Sequence, residues 1–279
     1  MLELFNNSYY VVLAAFIIIC VLYGIRYFLI NTPEKKPDIL IGNGQIIGKR
    51  MEQEDSFATI TTAKGVMAVL ADGMGGYANG KLASSMAVDM FIQQFANAES
   101  LYPVDEFFAN TARLSNRAIL DKAKGVRMGT TLVSVIIADR KLYSISIGDS
   151  AIILFRNNEF ININKKHVYE AVLEERFVSG QISMRQVSNN PMKKRITSYI
   201  GAEVLKDMEI SQKPIELKKG DKIILCSDGV TNSLSELELE SVLIEKNEAF
   251  EAVEKIMSII KRKNLAKQDN ATIIVLEMS

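Results

Sequence analysis

The way the apolar runs end is the strongest constraint on this chain. Residues 65–70 (GVMAVL) run into Ala71-Asp72-Gly73. Residues 222–226 (KIILC) run into Ser227-Asp228-Gly229, and residues 272–276 (TIIVL) follow Asp269-Asn270. Asp149 stands in Gly148-Asp149-Ser150, between the strand-like runs 141–147 and 151–155. Glu54-Asp55 precedes a further expected strand. An Asp-Gly pair alone is a common turn. Five acidic positions at the ends of apolar strands are harder to assign to turns. Carboxylates gathered at one edge of a sheet repel one another unless cations lie between them.

Composition narrows the choice of cation. His167 is the one histidine, and Cys20 and Cys226 are the two cysteines. A zinc site or a triad needing two imidazoles is excluded, and so is a disulfide scaffold. Hard oxygen ligands point to magnesium or manganese. Two such ions close together can activate water for in-line attack on phosphorus. Lys+Arg and Asp+Glu both number 33, so no cationic excess favours nucleic acid. With 48% hydrophobic and 24% charged residues in 279, disorder is excluded as the dominant state.

Helical periodicity over 81–95, 104–122 and 248–262 separates the strands. In the last of these Phe250, Val253, Ile256, Met257 and Ile260 share one face. Residues 130–138 and 141–147 read as a hairpin through Asp139-Arg140. The pattern predicts an α+β fold, with helices covering mainly antiparallel sheets.

The first thirty residues differ from the rest. Residues 9–25 carry no charge, and the apolar run resumes after Arg26 through Ile30. As one helix, residues 9–30 extend ~33 Å, enough to cross a bilayer core. Tyr9, Tyr10, Tyr23 and Tyr27 suit its interfaces, and Arg26 can snorkel. A cleaved signal peptide wants a basic start and a small-residue cleavage site. The first eight residues hold Glu3 and no Lys or Arg, and no A-x-A pattern follows. The other alternative, a buried helix of a soluble domain, fits poorly with an apolar surface on every side. The expectation is a single-pass anchor over 1–30, a linker over 31–38 marked by Pro33 and Pro37, and one domain over 39–279. Arg26, Lys35 and Lys36 flank the C-terminal end of the span, which places the domain on the cytoplasmic side of the cell membrane. Cys226 as a free thiol agrees with a reducing compartment.

The acidic motifs, in their order, resemble the metal-dependent serine/threonine phosphatases of type 2C, the bacterial branch in particular. Arg50-Met51-Glu52-Gln53-Glu54-Asp55 resembles the first motif, and Asp72-Gly73-Met74-Gly75-Gly76 the second. Met128-Gly129-Thr130-Thr131, Gly148-Asp149-Ser150, Ser227-Asp228-Gly229 and Asp269-Asn270 follow in register. Lys166-His167, Gly180-Gln181-Ile182 and Asn190-Pro191 are similar to a mobile flap. The resemblance implies a four-layer α-β-β-α sandwich with a cleft at one end. It implies two Mn2+ or Mg2+ ions: Asp72 bridging both, the Gly73 carbonyl on one, Asp228 and Asp269 on the other. Asp149 would help bind a third, weaker ion. Glu54 and Asp55 would hold water. Consecutive strand side chains face opposite ways, so these two can share a task only if the backbone turns there. Arg50 would pair with the substrate phosphate through two parallel hydrogen bonds, and His167 would lie at the edge of the cleft near the substrate. The implied partner is a phosphoserine or phosphothreonine protein, set against a Ser/Thr kinase. Met74 stands where many eukaryotic members carry His, Ala151 where Arg is usual, and Asn232 where an Asp is common. A non-catalytic binding module is the competing class. Such a module would be expected to lose metal carboxylates, and this sequence keeps Asp72, Asp228 and Asp269.

Overall fold

The computed structural model describes residues 13–24, 26, 38–75, 79–245 and 248–279. The chain divides into two compact units, Met1–Pro37 and Asp38–Ser279. In the first, residues 13–24 form helix α1. At 1.5 Å per residue it rises ~18 Å. Among the described residues no helix is long and apolar enough to cross a membrane. Both ends of the expected span, with Tyr9, Tyr10 and Tyr27, and the linker prolines lie outside the described residues.

The second unit contains β1 (Ile39–Ile46), β2 (Asp55–Thr62), β3 (Gly65–Met74), α2 (Asn79–Asn97), α3 (Val104–Ala123), β4 (Gly129–Thr130), β5 (Leu132–Ala138), β6 (Lys141–Ile147), β7 (Ala151–Arg156) and β8 (Glu159–Asn162). It continues with α4 (Tyr169–Val178), α5 (Met184–Ser188), β9 (Glu209–Ile210), β10 (Ile215–Glu216), β11 (Lys222–Cys226), α6 (Asp228–Thr231), α7 (Glu236–Ile244), α8 (Ala249–Lys263) and β12 (Ala271–Met278). One sheet runs β1-β12-β11-β7-β8 and the other β10-β6-β5-β3-β2. Every neighbouring pair is antiparallel. The β5–β6 hairpin turns at Asp139 and Arg140, both at positive φ, as a two-residue hairpin loop demands.

Strand alternation builds the layers. On β3, Val66, Ala68 and Leu70 face the opposite sheet, where Ile223, Leu225, Ile274 and Leu276 meet them. Met67, Val69 and Ala71 face outward and pack with Phe91 and Phe95 of α2 and Phe108 of α3. On β12, Ile273 and Val275 pack outward on Val253, Ile256 and Ile260 of α8. The central strands are thus covered on both faces, which is why they read as unbroken apolar runs. The α8 stripe differs from expectation at one position. Phe250 is 57% exposed, and Ala249 and Ala252 are the buried residues of that turn. The helix approaches β1 too closely there for a ring: a Cβ at Gly42 would fall 2.2 Å from the Ala249 carbonyl oxygen.

Candidate active site

The register brings the acids together. Asp55 opens β2 and Asp72 nearly closes β3, and the two are direct cross-strand partners. On the other sheet, β11 ends at Cys226 opposite Ile273 of β12. Asp228 follows that end and Asp269 precedes it. Ala151 pairs with Cys226, so Asp149 in the β6–β7 turn lies at the same end.

Asp55 ties the sheets to each other. Its Oδ2 accepts from Thr272 Oγ1 at 2.6 Å and Ser227 Oγ at 2.8 Å, both across the sandwich. Its Oδ1 is buried without a partner, as is Glu54 Oε1. Glu54 points elsewhere, toward the first turn of α2, where the Gly80 backbone hydrogen-bonds it. The expected divergence of the two neighbouring acids is therefore present. Asn270 holds this turn: Oδ1 accepts from the Glu54 N–H at 2.9 Å, and Nδ2 donates to the Ile47 and Glu52 carbonyls at 2.9 and 3.0 Å.

Threonines and glycines hold Asp72. Its N–H donates to Thr131 Oγ1 at 3.1 Å, and its carbonyl accepts from Thr130 Oγ1 at 2.9 Å. Thr131 in turn bonds Ser150 beside Asp149, at 2.8 Å. A Cβ at Gly73 would sit 2.1 Å from the Gly80 carbonyl oxygen, and one at Gly229 would sit 1.8 Å from that of Asn270. These glycines are required by close backbone approach, and neither has a positive φ. Gly76 of the second motif lies outside the described residues.

The electrostatics follow from burial. Burial, then repulsion from Asp55, Asp228, Asp149 and Asp269, holds the Asp72 carboxyl well above its ordinary range. Burial pushes Asp55 up to about 6 against the pull of its two hydroxyl donors. Burial also raises Asp149 and Asp228, and each feels a neighbouring aspartate, Asp228 for the first and Asp269 for the second. Lys166 and Lys194 oppose the rise at both. Asn232 donates to Asp228 Oδ2 at 3.1 Å. Arg50 donates to Asp269 Oδ2 at 2.6 Å.

His167 holds the turn that carries Asp149. Its Nδ1 accepts from the Gly148 N–H at 3.1 Å, and its own N–H donates to the Gly148 carbonyl at 2.8 Å. Burial lowers its pKa, and its charged neighbours are Asp207 and Glu209. Cys226 is fully buried, with its thiol pushed up to about 12 by burial, which makes it a poor nucleophile.

Among the described residues no three Asp, Glu, His or Cys side chains converge closely enough to hold a metal ion by themselves. The donor set nevertheless suits magnesium or manganese, which bind through one or two carboxylates and keep several waters. The crowding at Asp72 is what such a cation would relieve, and its waters would satisfy the orphaned Asp55 Oδ1. Sequence reasoning missed the supporting hydroxyl of Thr272 and the Gly80 turn. Neither has a pattern of its own. The signal was indirect: Thr272 follows Asp269-Asn270 by two residues, and Gly80 opens a periodic helix.

The family model described as Protein phosphatase 2C matches residues 44–268. The serine/threonine phosphatase stp of Listeria monocytogenes is 29% identical over 216 residues, covering 75% of this chain and 83% of that protein. The solved serine/threonine phosphatase of S. agalactiae superposes with a TM-score of 0.76 at 25% identity, covering 86% of this chain and 100% of that one. The catalytic domain of the serine threonine protein phosphatase PstP, solved in complex with two manganese ions, superposes with a TM-score of 0.67 at 24% identity, covering 86% and 97%. With the fold, the acidic end and the family match in agreement, the chain belongs to the protein phosphatase 2C family and is a protein phosphatase of that type.

Proposed function

We propose that the chain removes phosphate from phosphoserine and phosphothreonine side chains of proteins, with two Mn2+ or Mg2+ ions at the acidic end of the sandwich. The observation that carries this reading is the meeting of buried and half-buried aspartates from both sheets, with Asp72 surrounded by acids and, among the described residues, in no ion pair. Asp72 and the Gly73 carbonyl, with Asp228 and Asp269, are the residues that would hold the pair, and Asp149 would attract a third ion more weakly. Bound there, such ions neutralise the carboxylates and supply Lewis acidity and a water of lowered pKa for in-line attack on phosphorus.

The chain's own residues supply the remaining parts. Arg50 offers a guanidinium fork that fits two phosphate oxygens. Its present bond to Asp269 is half-exposed and weak, so phosphate can replace it. The free oxygens Glu54 Oε1 and Asp55 Oδ1 accept from water and orient it. Asp55 can do so because Thr272 and Ser227 fix its other oxygen. His167 keeps the Gly148 turn, and so Asp149, in place.

The test is phosphate release from phosphothreonine and phosphotyrosine peptides with manganese, magnesium or excess chelator. Chelator-sensitive release from phosphothreonine supports the reading. A folded chain that releases nothing with either metal overturns it and favours a binding module. Arg50→Ala should raise KM for phosphopeptide roughly tenfold or more, since a charge-assisted bidentate contact is lost.

The uncharged run over 9–25 and the basic residues after it support a membrane anchor with this domain on the cytoplasmic side, facing a Ser/Thr kinase in the same plane. Alkaline extraction of membranes tests this. Full-length chain in the supernatant sinks the anchor.

A further inference from the structure

We propose that the groove between the end of β1 and the last turn of α8 is a docking subsite for an acidic segment of the substrate, next to the phosphorylated residue. The proposal rests on the phosphatase reading above and names a substrate class for the same site.

A cavity of about 360 Å³ lies there, lined among others by Gln45, Ile47, Lys49, Lys261, Asn264 and Gln268, with no side-chain carboxylate among the described residues of its wall. It adjoins the acidic end directly. A Cβ at Gly48 would lie 2.3 Å from the Asp269 carbonyl oxygen, and the Lys49 N–H donates to the Gln268 carbonyl at 2.8 Å. The next residue is Arg50, bonded to Asp269. One turn of chain therefore forms the wall of the cavity and carries the guanidinium expected to meet phosphate.

Charge decides what the groove takes. Among the described residues, Lys49 and Lys261 are exposed and in no ion pair. Lys263 of the same helix turn is engaged within the chain, by the Ser233 carbonyl and by Glu238. A second cavity of about 550 Å³ continues along β1 away from this wall and adds Arg262 and one carboxylate, Glu254. A phosphoprotein segment approaching the aspartate-rich end meets repulsion unless a cationic flank receives it. Lys49 and Lys261 are that flank, and Ile47, 44% exposed, gives an apolar contact beside them. The occupant fitting these features is an acidic polypeptide stretch within a few residues of the phosphothreonine.

The experiment measures binding by fluorescence anisotropy on the full chain. Two peptides carry a non-hydrolysable phosphonate mimic of phosphothreonine, one flanked by glutamates and one by alanines. The wild type should bind the glutamate peptide several-fold more tightly. Lys261→Glu and Lys49→Glu should each reduce that ratio roughly two- to fivefold, the range of an exposed charge pair. Lys213→Glu, an exposed lysine between β9 and β10, controls for net charge and should leave the ratio unchanged. Equal binding of both peptides by the wild type overturns the proposal, and so does a ratio that neither groove variant changes. Loss of sedimentation with phosphatidylserine vesicles, without a change in the ratio, reassigns the lysines to lipid. Turnover of p-nitrophenyl phosphate by the wild type reports separately on the phosphatase reading.

Discussion

Strand β11 carries an aspartate at each end, and the two are opposites. Asp221, just before the strand, accepts from Arg156 Nε at 2.9 Å and Nη2 at 2.5 Å, and from the Lys218 N–H at 2.7 Å. Its side chain is 2% exposed, and bonding to Arg156 and Lys218 holds its carboxyl below the usual range although burial acts the other way. Asp228, just after the strand, is half-buried, yet its carboxyl is raised because desolvation and Asp269 outweigh Lys166 and Asn232. The two environments lie one short strand apart. At one end the fold satisfies a buried charge; at the other it concentrates charges and leaves them to a ligand. Buried charge that the protein itself does not neutralise marks a functional site.

The largest expected effect comes from removing the uncompensated charge. Asp228→Asn should lower turnover with manganese by roughly a thousandfold, the scale of losing one preorganised electrostatic contact to a transition state. Asp72→Asn should do the same. In chelator, Asp72→Asn should melt no lower than wild type and rather higher by about 1 kcal/mol, because a crowded, desolvated carboxylate has become neutral. Thermal unfolding in chelator beside activity in manganese checks both. A variant that keeps full activity, or that melts well below wild type in chelator, breaks the contrast drawn here.

The mirror experiment is Asp221→Ala. It leaves Arg156, whose side chain is 19% exposed, without its partner. Removing one member of a buried pair should cost about 3 kcal/mol. For a domain of this size that is a fall in Tm of about 5–10 °C. Turnover per folded molecule should not change. A stable Asp221→Ala protein with impaired kcat would mean that the two ends of β11 are not independent.

Much of this was legible in the sequence, for physical reasons. Strands β3, β5, β6, β7, β11 and β12 read clearly because covered faces produce apolar runs, and the aspartates stood out at their ends. Strand β1 did not read, because Gly42 and Gly44 in ILIGNGQI look like breakers. They are instead contact points for α8, where a Cβ would overlap Ala249 or Val253. Strand β2 was expected after Glu54-Asp55, although it is only partly buried and rich in threonine. Phe250 matched the helical stripe, and close approach of α8 to β1 kept it out of the core. In the site, charge was visible and its support was not. Nothing marks Thr272 or Ser227 as the donors that fix Asp55, since that contact exists only once two sheets face each other.

The smallest expected effect separates the two kinds of aspartate by pH, in chelator. Asp221 is depressed in the folded chain, so the unfolded chain binds its proton first. Its contribution is present above the unfolded value of ~4 and is lost as pH falls through the lower folded value. Asp55 is raised to about 6, so between ~4 and 6 the folded chain holds a proton that the unfolded chain has lost. Through Asp55 stability should therefore fall as pH rises through that window, by on the order of 2 kcal/mol, and Asp72, held well above its ordinary range, carries the fall beyond it. The metal-free chain should be most stable at pH ~4, with an acid limb set by Asp221 and a descending limb set by the acidic cluster. Asp55→Asn should flatten the descending limb, and Asp221→Asn should remove its share of the acid limb. Denaturant midpoints across pH 3–7.5 read both slopes. A chain that becomes steadily more stable from pH 4 to 7 in chelator would show that the acidic end is already neutralised by the protein, and that the contrast between the two ends of β11 is false.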